Sequence, residues 1–379
     1  MFHALQGLIN WTPLGLPAFL FVITLVVFVH ELGHFLVARA CGVKVDVFSI
    51  GFGKEIFGRT DKTGTRWRVS WIPVGGYVKF AGDANAASMP DAKAASVMSD
   101  AERSHVLFFK PLWQRAAVAA AGPFANFILA IVLMTGLNLY SGHNVLAPVI
   151  GDVVKGSPAD VAGIKAGDRV TAIDGSAIQD FEQLPQIISV SGGQTLNIDL
   201  VRAGKPLTIQ VSPRATRIRD VLGDMSTTMV IGVHQSTNLA NWSHHPYSLA
   251  GAFGASCQRS WDIASTTVQG IVQMARGYAS ADQFRGPLGI MKMTRQVAVF
   301  GFLALLNLTA VLSVSIGLAN LFPIPLLDGG HLLYYGCEAV LGRPLGERAQ
   351  DVGFRLGLVV VVGLMLLTTW NDLVRLNLF

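Results

Sequence analysis

Residues 19–38 read FLFVITLVVFVHELGHFLVA, and this stretch decides the fold. The apolar block that contains it, Leu14 to Ala38, is about as long as the roughly 20 residues that cross a bilayer as a helix. Three ionisable side chains, His30, Glu31 and His34, interrupt it. Such groups are costly inside a membrane, and where they occur they usually have a function. The stretch therefore predicts a membrane-spanning helix that carries a chemical site.

The composition of the whole chain also indicates a membrane protein. Of its 379 residues, 51% are hydrophobic and only 14% are charged, against roughly 25% charged in soluble domains. The first apolar block begins too far into the chain for a cleavable signal peptide and has no basic segment before it. We therefore expect it to remain in the mature protein. Three further apolar blocks have spanning length: Ala116–Tyr140, Phe302–Leu327 and Val352–Trp370. We predict a polytopic α-helical membrane protein with four transmembrane helices.

The distribution of positive charge predicts the orientation. No Lys or Arg precedes Arg39, and the stretch from Arg39 to Lys79 contains eight of them, both ends included. By the positive-inside rule this loop is cytoplasmic and the N-terminus lies outside, as do residues 142–295. The basic pI near 9.2 then reflects topology, so no nucleic-acid partner is needed to explain it. The three cysteines are scattered and form neither a disulfide framework nor a zinc-thiolate motif.

The loop after the first helix contains a β-like segment, residues 66–81, which reads RWRVSWIPVGGYVKFA. Two alternating runs flank a Pro/Gly turn at 72–76, a pattern typical of a β-hairpin. Its aromatic residues favour a hairpin that dips into the membrane boundary. Residues 84–104 are rich in Ala, Ser and Asp and are predicted to be a flexible linker.

The middle of the chain has the composition of a soluble α+β domain. Gly-Ser-Pro-Ala, Ala-Gly-Ile, Gly-Asp-Arg-Val and Asp-Gly-x-x-Ile follow one another from residue 156 onward, and this order resembles a bacterial PDZ domain. The predicted elements are strands at 148–154, 167–175, 196–201 and 207–211 and helices at 157–162 and 181–188. Beyond them we predict a helix at 246–277 and a turn at 285–290.

Four regions follow from these patterns. Residues 1–141 form an N-terminal membrane part with two spanning helices, the histidine motif and the hairpin. An extracytoplasmic PDZ-like domain is inserted at 142–235, and an extracytoplasmic helical linker follows at 236–296. Residues 297–379 form a C-terminal membrane part with two more spanning helices.

His30 and His34 are the best candidates for metal ligands, because residues four apart share one face of a helix. Glu31 lies beside them and can take a proton from metal-bound water. A catalytic zinc ion needs three protein ligands and one open position. Most other histidines, including His331, fall in loops on one side of the membrane or the other. Two prolines must unwind the third spanning segment, and Asp328 at its end can complete the site.

These motifs together resemble the site-2 proteases, most closely the regulator-of-sigma-E type. The resemblance rests on His-Glu-x-x-His in the first helix, on Asn320-x-x-Pro-x-Pro-x-x-Asp-Gly-Gly in the third, and on the PDZ-like insert. The Pro-x-Gly-Gly-Tyr-Val segment and residues 121–126, AGPFAN, add to it. The chain departs from that type in having room for one PDZ domain where two are known, and in Lys54, where proline is common.

The resemblance implies a Zn²⁺ ion held by His30, His34 and Asp328, with Glu31 as the general base. It also implies that Asn320 holds the substrate backbone; the residues alone equally allow a helix–helix hydrogen bond there. Asn126 and Asn307 are interpreted as such structural residues. We expect the hairpin edge to pair with an unwound substrate. The other predicted substrate-binding residues are Pro323, Pro325, Gly75, Gly76, Tyr77, Val78, Lys79 and Phe80.

The implied biology is cleavage of single-span membrane proteins in the bacterial inner membrane. Anti-sigma factors or remnant signal peptides are the expected substrates, after an upstream extracytoplasmic protease has shortened them. The site would face the cytoplasm, the PDZ-like domain would lie in the periplasm, and membrane lipid would surround the helices. Two alternatives stay open: a membrane-bound PDZ scaffold with a non-catalytic metal site, and a metal transporter with His and Asp along its ion path.

Overall fold

A computed structural model describes residues 12–83, 98–219, 225–236, 242–276 and 285–375. The chain divides into two compact units. The first is built from residues up to Leu133 together with Gly286–Leu373, and the second from Met134–Arg285. The first unit therefore joins two distant parts of the sequence, and it contains all the predicted metal ligands.

The first unit begins with helix α1, Thr12–Ala40. Strands β1, Val45–Thr60, and β2, Arg66–Phe80, follow it and pair with each other in a ribbon, antiparallel where residues 45–50 meet 76–80 and where 57–60 meet 66–69. One end of the ribbon packs on α1: Phe48 and Val78 are buried in one apolar cluster with Phe35. The other end exposes large apolar side chains, among them Phe57 and Trp71. An exposed apolar tip of this kind suits contact with lipid.

The chain reverses within the predicted turn at residues 72–76. Residues 66–69 run parallel to residues 47–50, whereas residues 76–80 run antiparallel to residues 45–50. The two runs therefore lie on either side of β1, so the turn agrees with the prediction but the direct pairing of a hairpin does not. A further reversal occurs at 61–65, where Asp61 accepts hydrogen bonds from the N–H groups of Thr63 and Thr65. Gly75, with a positive φ of 97°, lies where β2 reverses, and glycine suits such a turn because it adopts positive φ without steric cost.

Two helical segments lead into the second long helix. Helix α2, Asp100–Arg103, and a 3₁₀ turn, Leu107–Phe109, precede α3, Leu112–Ser141. The predicted linker at 84–104 lies outside the described residues over 84–97, and its last part includes α2. Helices α1 and α3 approach closely at Gly33, where a Cβ atom would overlap the main chain of Ala121.

The second unit contains all the remaining strands. They are β3 (His143–Leu146), β4 (Ile150–Val153), β5 (Arg169–Ile173), β6 (Ser176–Ala177), β7 (Leu196–Arg202), β8 (Lys205–Val211), β9 (Arg214–Arg219), β10 (Met225–Val230), β11 (Val233–Gln235) and β12 (Trp242–His245), with helices α4 (Pro158–Val161), α5 (Gln183–Ser189) and α6 (Leu249–Ala275) among and after them. The largest sheet has the order β6-β5-β7-β8, and β4–β11, β9–β10 and β3–β12 form separate antiparallel pairs. The predicted strands, both short helices and the long helix at 246–277 agree with these elements.

An apolar core holds the second unit together. Ile150, Ile173, Leu184 and Ile198 are among its fully buried side chains. The pairing of β7 with β8 turns at Ala203 and Gly204, both with positive φ, which is the backbone of a tight hairpin turn.

Among the described residues of this unit, the carboxylate of Asp168 is a buried charge. Arg202 donates to both of its oxygens, from Nε and Nη2 at 2.7 Å each, and the Lys165 N–H adds a third bond at 2.8 Å. Burial alone would raise the pKa of Asp168, but these hydrogen bonds and the charge of Arg202 hold it below its ordinary value. Asp168 is thus a charged structural residue.

The C-terminal part returns to the first unit. Helices α7 (Pro287–Ala298), α8 (Phe302–Leu321), α9 (Asp328–Leu341) and α10 (Glu347–Arg375) follow in order. The predicted turn at 285–290 is wrong, because α7 begins within it. Pro287 suits the first helical position, and Asp372 accepts from the N–H groups of Gly286 and Gly289.

Four helices of the described residues are long and apolar enough to cross a membrane: Gly15–Ala40, Leu112–Ser141, Phe302–Leu321 and Arg348–Val374. They correspond to the four apolar blocks of the sequence. Three of them, α1, α3 and α8, surround the candidate site.

Candidate metal centre

His30 and His34 lie one turn apart on α1, and their Nε2 atoms are 3.2 Å apart. Asp328 reaches both: Oδ2 lies 3.1 Å from His30 Nε2, and Oδ1 lies 3.5 Å from His34 Nε2. Within the described part of the chain these three residues form a group whose ligand atoms all lie within 4.8 Å of one another. The structure therefore brings together the three predicted ligands.

The geometry of the three donors fits zinc. Tetrahedral Zn²⁺ with bonds of about 2.0–2.1 Å requires ligand atoms about 3.3 Å apart, close to the three separations here. Two histidines and one carboxylate also match a catalytic donor set with one open position. Gly122 of α3 forms the adjacent wall, since a Cβ atom there would overlap His34 Nε2. The space is thus kept clear by a glycine.

The unwound segment between α8 and α9 brings Asp328 to the histidines. Helix α8 ends at Leu321, and α9 begins at Asp328 itself. Leu326, in the segment between them, has a positive φ of 93°, which costs free energy in a non-glycine residue. Gly329 and Gly330 lie so close to the preceding main chain that a Cβ atom on either would meet it. The prolines and glycines predicted to unwind the helix therefore shape this turn.

Glu31 lines the same cavity, which has a volume of about 280 Å³. Gly76 of β2 lies against Glu31, since a Cβ atom at Gly76 would be 3.5 Å from Glu31 Cγ. The ribbon edge and the proposed base are therefore in contact. A carboxylate beside a metal site and open to a cavity can accept a proton from water.

The predicted substrate-binding residues divide into two groups. Those that line this cavity are Gly76, Tyr77, Val78, Phe80 and Asn320. Gly75, Lys79 and Pro323 are not among the lining residues, while Pro325 lines a neighbouring cavity. Strand alternation accounts for Lys79, which lies between Val78 and Phe80 on β2 and therefore points to the opposite face.

Three residues of the site were missed in the sequence. His331 lines the cavity, although its sequence position suggested a loop away from the site, and it lies one turn after Asp328 on α9. Arg115 also lines it and forms a bidentate ion pair with Glu338. Asn126 is wholly buried, and its Nδ2 lies 3.2 Å from His30 Nδ1. The i, i+3 spacing could have indicated His331; nothing local indicates the other two.

Two histidines on a helix apolar enough for a bilayer converge with an aspartate beside a glutamate, and this arrangement defines a membrane-embedded metalloprotease. Comparison with known proteins agrees. The family model described as "Peptidase family M50" matches residues 18–364. The chain belongs to this family, the zinc-dependent site-2 proteases, and is a zinc metalloprotease and a membrane protein.

Relatives cover nearly the whole chain. A protein of Agrobacterium fabrum, whose name places it among zinc metalloproteases, is 44% identical over 94% of this chain and 94% of its own length. Metalloprotease MmpA of Caulobacter vibrioides is 36% identical over 96% of each chain. A solved PDZ domain of an SdrC-like protein from Listeria monocytogenes is 27% identical to part of this chain and covers 26% of it and 93% of that chain, with a TM-score of 0.20.

Proposed function

We propose that this metalloprotease cuts the membrane-spanning segments of single-span proteins, with His30, His34 and Asp328 as zinc ligands. The observation that carries the proposal is the convergence of these three side chains beside Glu31, with both histidines on a helix of spanning length. Anti-sigma factors and remnant signal peptides are the substrate types we infer, each already shortened by an upstream extracytoplasmic protease. We place the enzyme in a bacterial inner membrane, with the site toward the cytoplasm and the PDZ-like domain in the periplasm.

The chemistry divides between the ion and the chain. Bound zinc supplies a Lewis acid that activates water and polarises a carbonyl group. Glu31 accepts the proton of the attacking water and delivers it to the nitrogen of the departing amine. Gly76 and Val78 of β2 line the same cavity as Glu31. Apolar helices around the cavity limit access of bulk water.

Substrate pairing with the ribbon would present an extended peptide to Glu31. A helix hides its peptide bonds, so a substrate must unwind before it is cut, and strand addition to an exposed edge stabilises an extended segment. Supporting observations are the close approach of Gly76 to Glu31 and the position of Gly76, Tyr77 and Asn320 in the cavity wall. Asn320 would hold the substrate from the opposite side.

Cysteine cross-linking tests this pairing. Cys41, Cys257 and Cys337 are first replaced by Ser, and Tyr77→Cys is combined with Glu31→Gln so that bound substrate persists. Single cysteines are then scanned along the substrate segment. Strand pairing predicts disulfides at every second substrate position. A period of three to four positions would show a helical substrate and contradict the pairing.

The second unit is proposed to exclude substrates that still carry a large extracytoplasmic domain. Two substrates with the same spanning segment, one with a folded outer domain and one without, test this. We expect the wild type to cut only the shortened one. Equal cleavage of both would show that no size filter operates.

A further inference from the structure

Asn126 of α3 contacts the ring edge of His30 that faces away from the other ligands. His30 Nε2 is directed at His34 and Asp328, while His30 Nδ1 lies 3.2 Å from the side-chain amide of Asn126. Asn126 is 0% exposed. No hydrogen-bond partner for its Oδ1 occurs among the described residues. A buried amide oxygen without a partner is costly, so this group calls for an explanation.

The tautomer of His30 determines what the amide must offer. A neutral imidazole carries one N–H, so a ring that binds a metal through Nε2 carries its proton on Nδ1. That N–H needs an acceptor, and the NH₂ group of an amide is a donor only. The amide oxygen can accept. Rotating the amide by half a turn exchanges O and N, whose assignment rests on the hydrogen-bond network in any case.

We propose that Asn126 is a positioning residue for the zinc site: its side-chain oxygen accepts a hydrogen bond from His30 Nδ1–H and so fixes the tautomer in which Nε2 binds the ion. This inference rests on the proposed zinc site. His34 has a matching arrangement, since its Nδ1 donates to the main-chain oxygen of Val118 at 2.7 Å. Helix α3 thus supplies one acceptor for each histidine, from the main chain for His34 and from a side chain for His30.

The main chain of Asn126 is held independently of its side chain. Ser313 of α8 donates from Oγ to the Asn126 main-chain oxygen at 2.8 Å. Gly317 lets the two helices approach, since a Cβ atom there would lie 3.1 Å from Asn126 Cβ. The helix that leads to Asp328 is therefore anchored at the residue that contacts His30. Ser313→Ala removes this anchor without altering the contact with His30, which makes it a matched control.

The experiment measures zinc affinity of the full-length protein in detergent, by competition with a chelator of known affinity. Asn126→Leu keeps the approximate volume and removes the acceptor, and we expect roughly 10- to 100-fold weaker binding, the usual effect of losing an outer-shell partner. Asn126→Asp keeps two acceptor oxygens and donates nothing, so we expect wild-type or tighter binding. Ser313→Ala should bind zinc as the wild type does.

Four results would overturn the inference. Wild-type affinity in Asn126→Leu would show that His30 needs no such partner. Equal weakening in Asn126→Asp and Asn126→Leu would show that the amide N–H matters and that the oxygen does not. A melting temperature lowered equally by both substitutions in the metal-free proteins, with unchanged zinc affinity, would make Asn126 a packing residue. Absence of zinc from the wild type would refute the proposed site itself, and with it this inference.

Discussion

Two aspartates, the fully buried Asp168 of the second unit and the partly buried Asp328 of the first, meet opposite kinds of partner. Asp168 in the second unit receives a guanidinium group and a main-chain N–H, so its charge is permanently neutralised. Asp328 in the first unit faces two imidazole Nε2 atoms, which can donate a lone pair as well as a proton. A fixed cation makes a carboxylate structural, whereas two histidines beside it leave a place for a metal ion. Burial alone therefore does not identify a functional carboxylate; the chemistry of its partners does.

The largest effect should come from exchanging each aspartate for the isosteric amide. Asp328→Asn weakens a zinc ligand, and we expect loss of bound zinc and at least a ~1,000-fold loss of cleavage, as when a catalytic group is removed. Asp168→Asn should lower stability while zinc and cleavage persist. Metal analysis and cleavage of a single-span substrate measure both. Retained zinc in Asp328→Asn would break the contrast between the two residues.

The next largest effect is a loss of zinc affinity when Gly122, which lies against His34, is replaced. Gly122→Ala places a methyl group against His34 Nε2, so we expect zinc affinity to fall roughly 10- to 100-fold, as for other disturbances of ligand orientation. Gly136→Ala on the same helix is the control, because a Cβ atom there meets nothing within 4 Å. If both variants bind zinc equally well, the proposed close fit at Gly122 is wrong.

A smaller effect is expected in the second unit. Arg202→Met leaves Asp168 buried without its cation, which should cost about 3 kcal/mol of stability in that unit. Hydrogen exchange of strands β5 and β7 measures the loss locally, while zinc content should not change. Arg217, an exposed arginine of β9, gives the control Arg217→Met. Unchanged exchange in Arg202→Met would show that the ion pair contributes nothing to stability.

The smallest effect is a dependence of the stability of the second unit on pH. The pKa of Asp168 is lower in the folded unit than its ordinary value, so its stabilising contribution is present at neutral pH. That contribution begins to decrease as the pH falls below the unfolded pKa near 3.9 and is lost as the pH passes through the lower, folded pKa. Hydrogen exchange of β5 and β7 between pH 7 and pH 3 should show this loss in the wild type and less of it in Arg202→Met. If hydrogen exchange depends on pH in the same way in both proteins, the ion pair between Asp168 and Arg202 is not the cause of the pH dependence.

The sequence predicts the site well because its signals are local or strongly constrained. His30 and His34 are one helical turn apart, and two prolines require an unwound segment just before Asp328. The elements of the second unit follow from strand alternation and turn glycines. Strand β1 escaped prediction because Gly51 and Gly53 resemble a loop, although both serve as positive-φ positions within the strand.

Asn126 could not be assigned from the sequence because its role depends on how three helices are rotated about their axes. An asparagine within an apolar helix indicates only that a partner exists. The partner of Asn126 follows only from the packing of α1, α3 and α8, which approach one another closely at Gly33, Gly122 and Gly317. His331 was misassigned for a related reason: the segment after Asp328 was interpreted as a loop, whereas α9 returns it to the cavity.

The most direct test of the central claim compares wild type with Glu31→Gln on a single-span substrate in detergent, with bound zinc quantified in both. We predict cleavage by the wild type, a loss of roughly 100- to 10,000-fold in Glu31→Gln from removal of the base, and zinc retained in both proteins. Equal cleavage by the two would deny Glu31 its role as the base. Absence of zinc from the wild type would contradict the assignment of His30, His34 and Asp328 as its ligands.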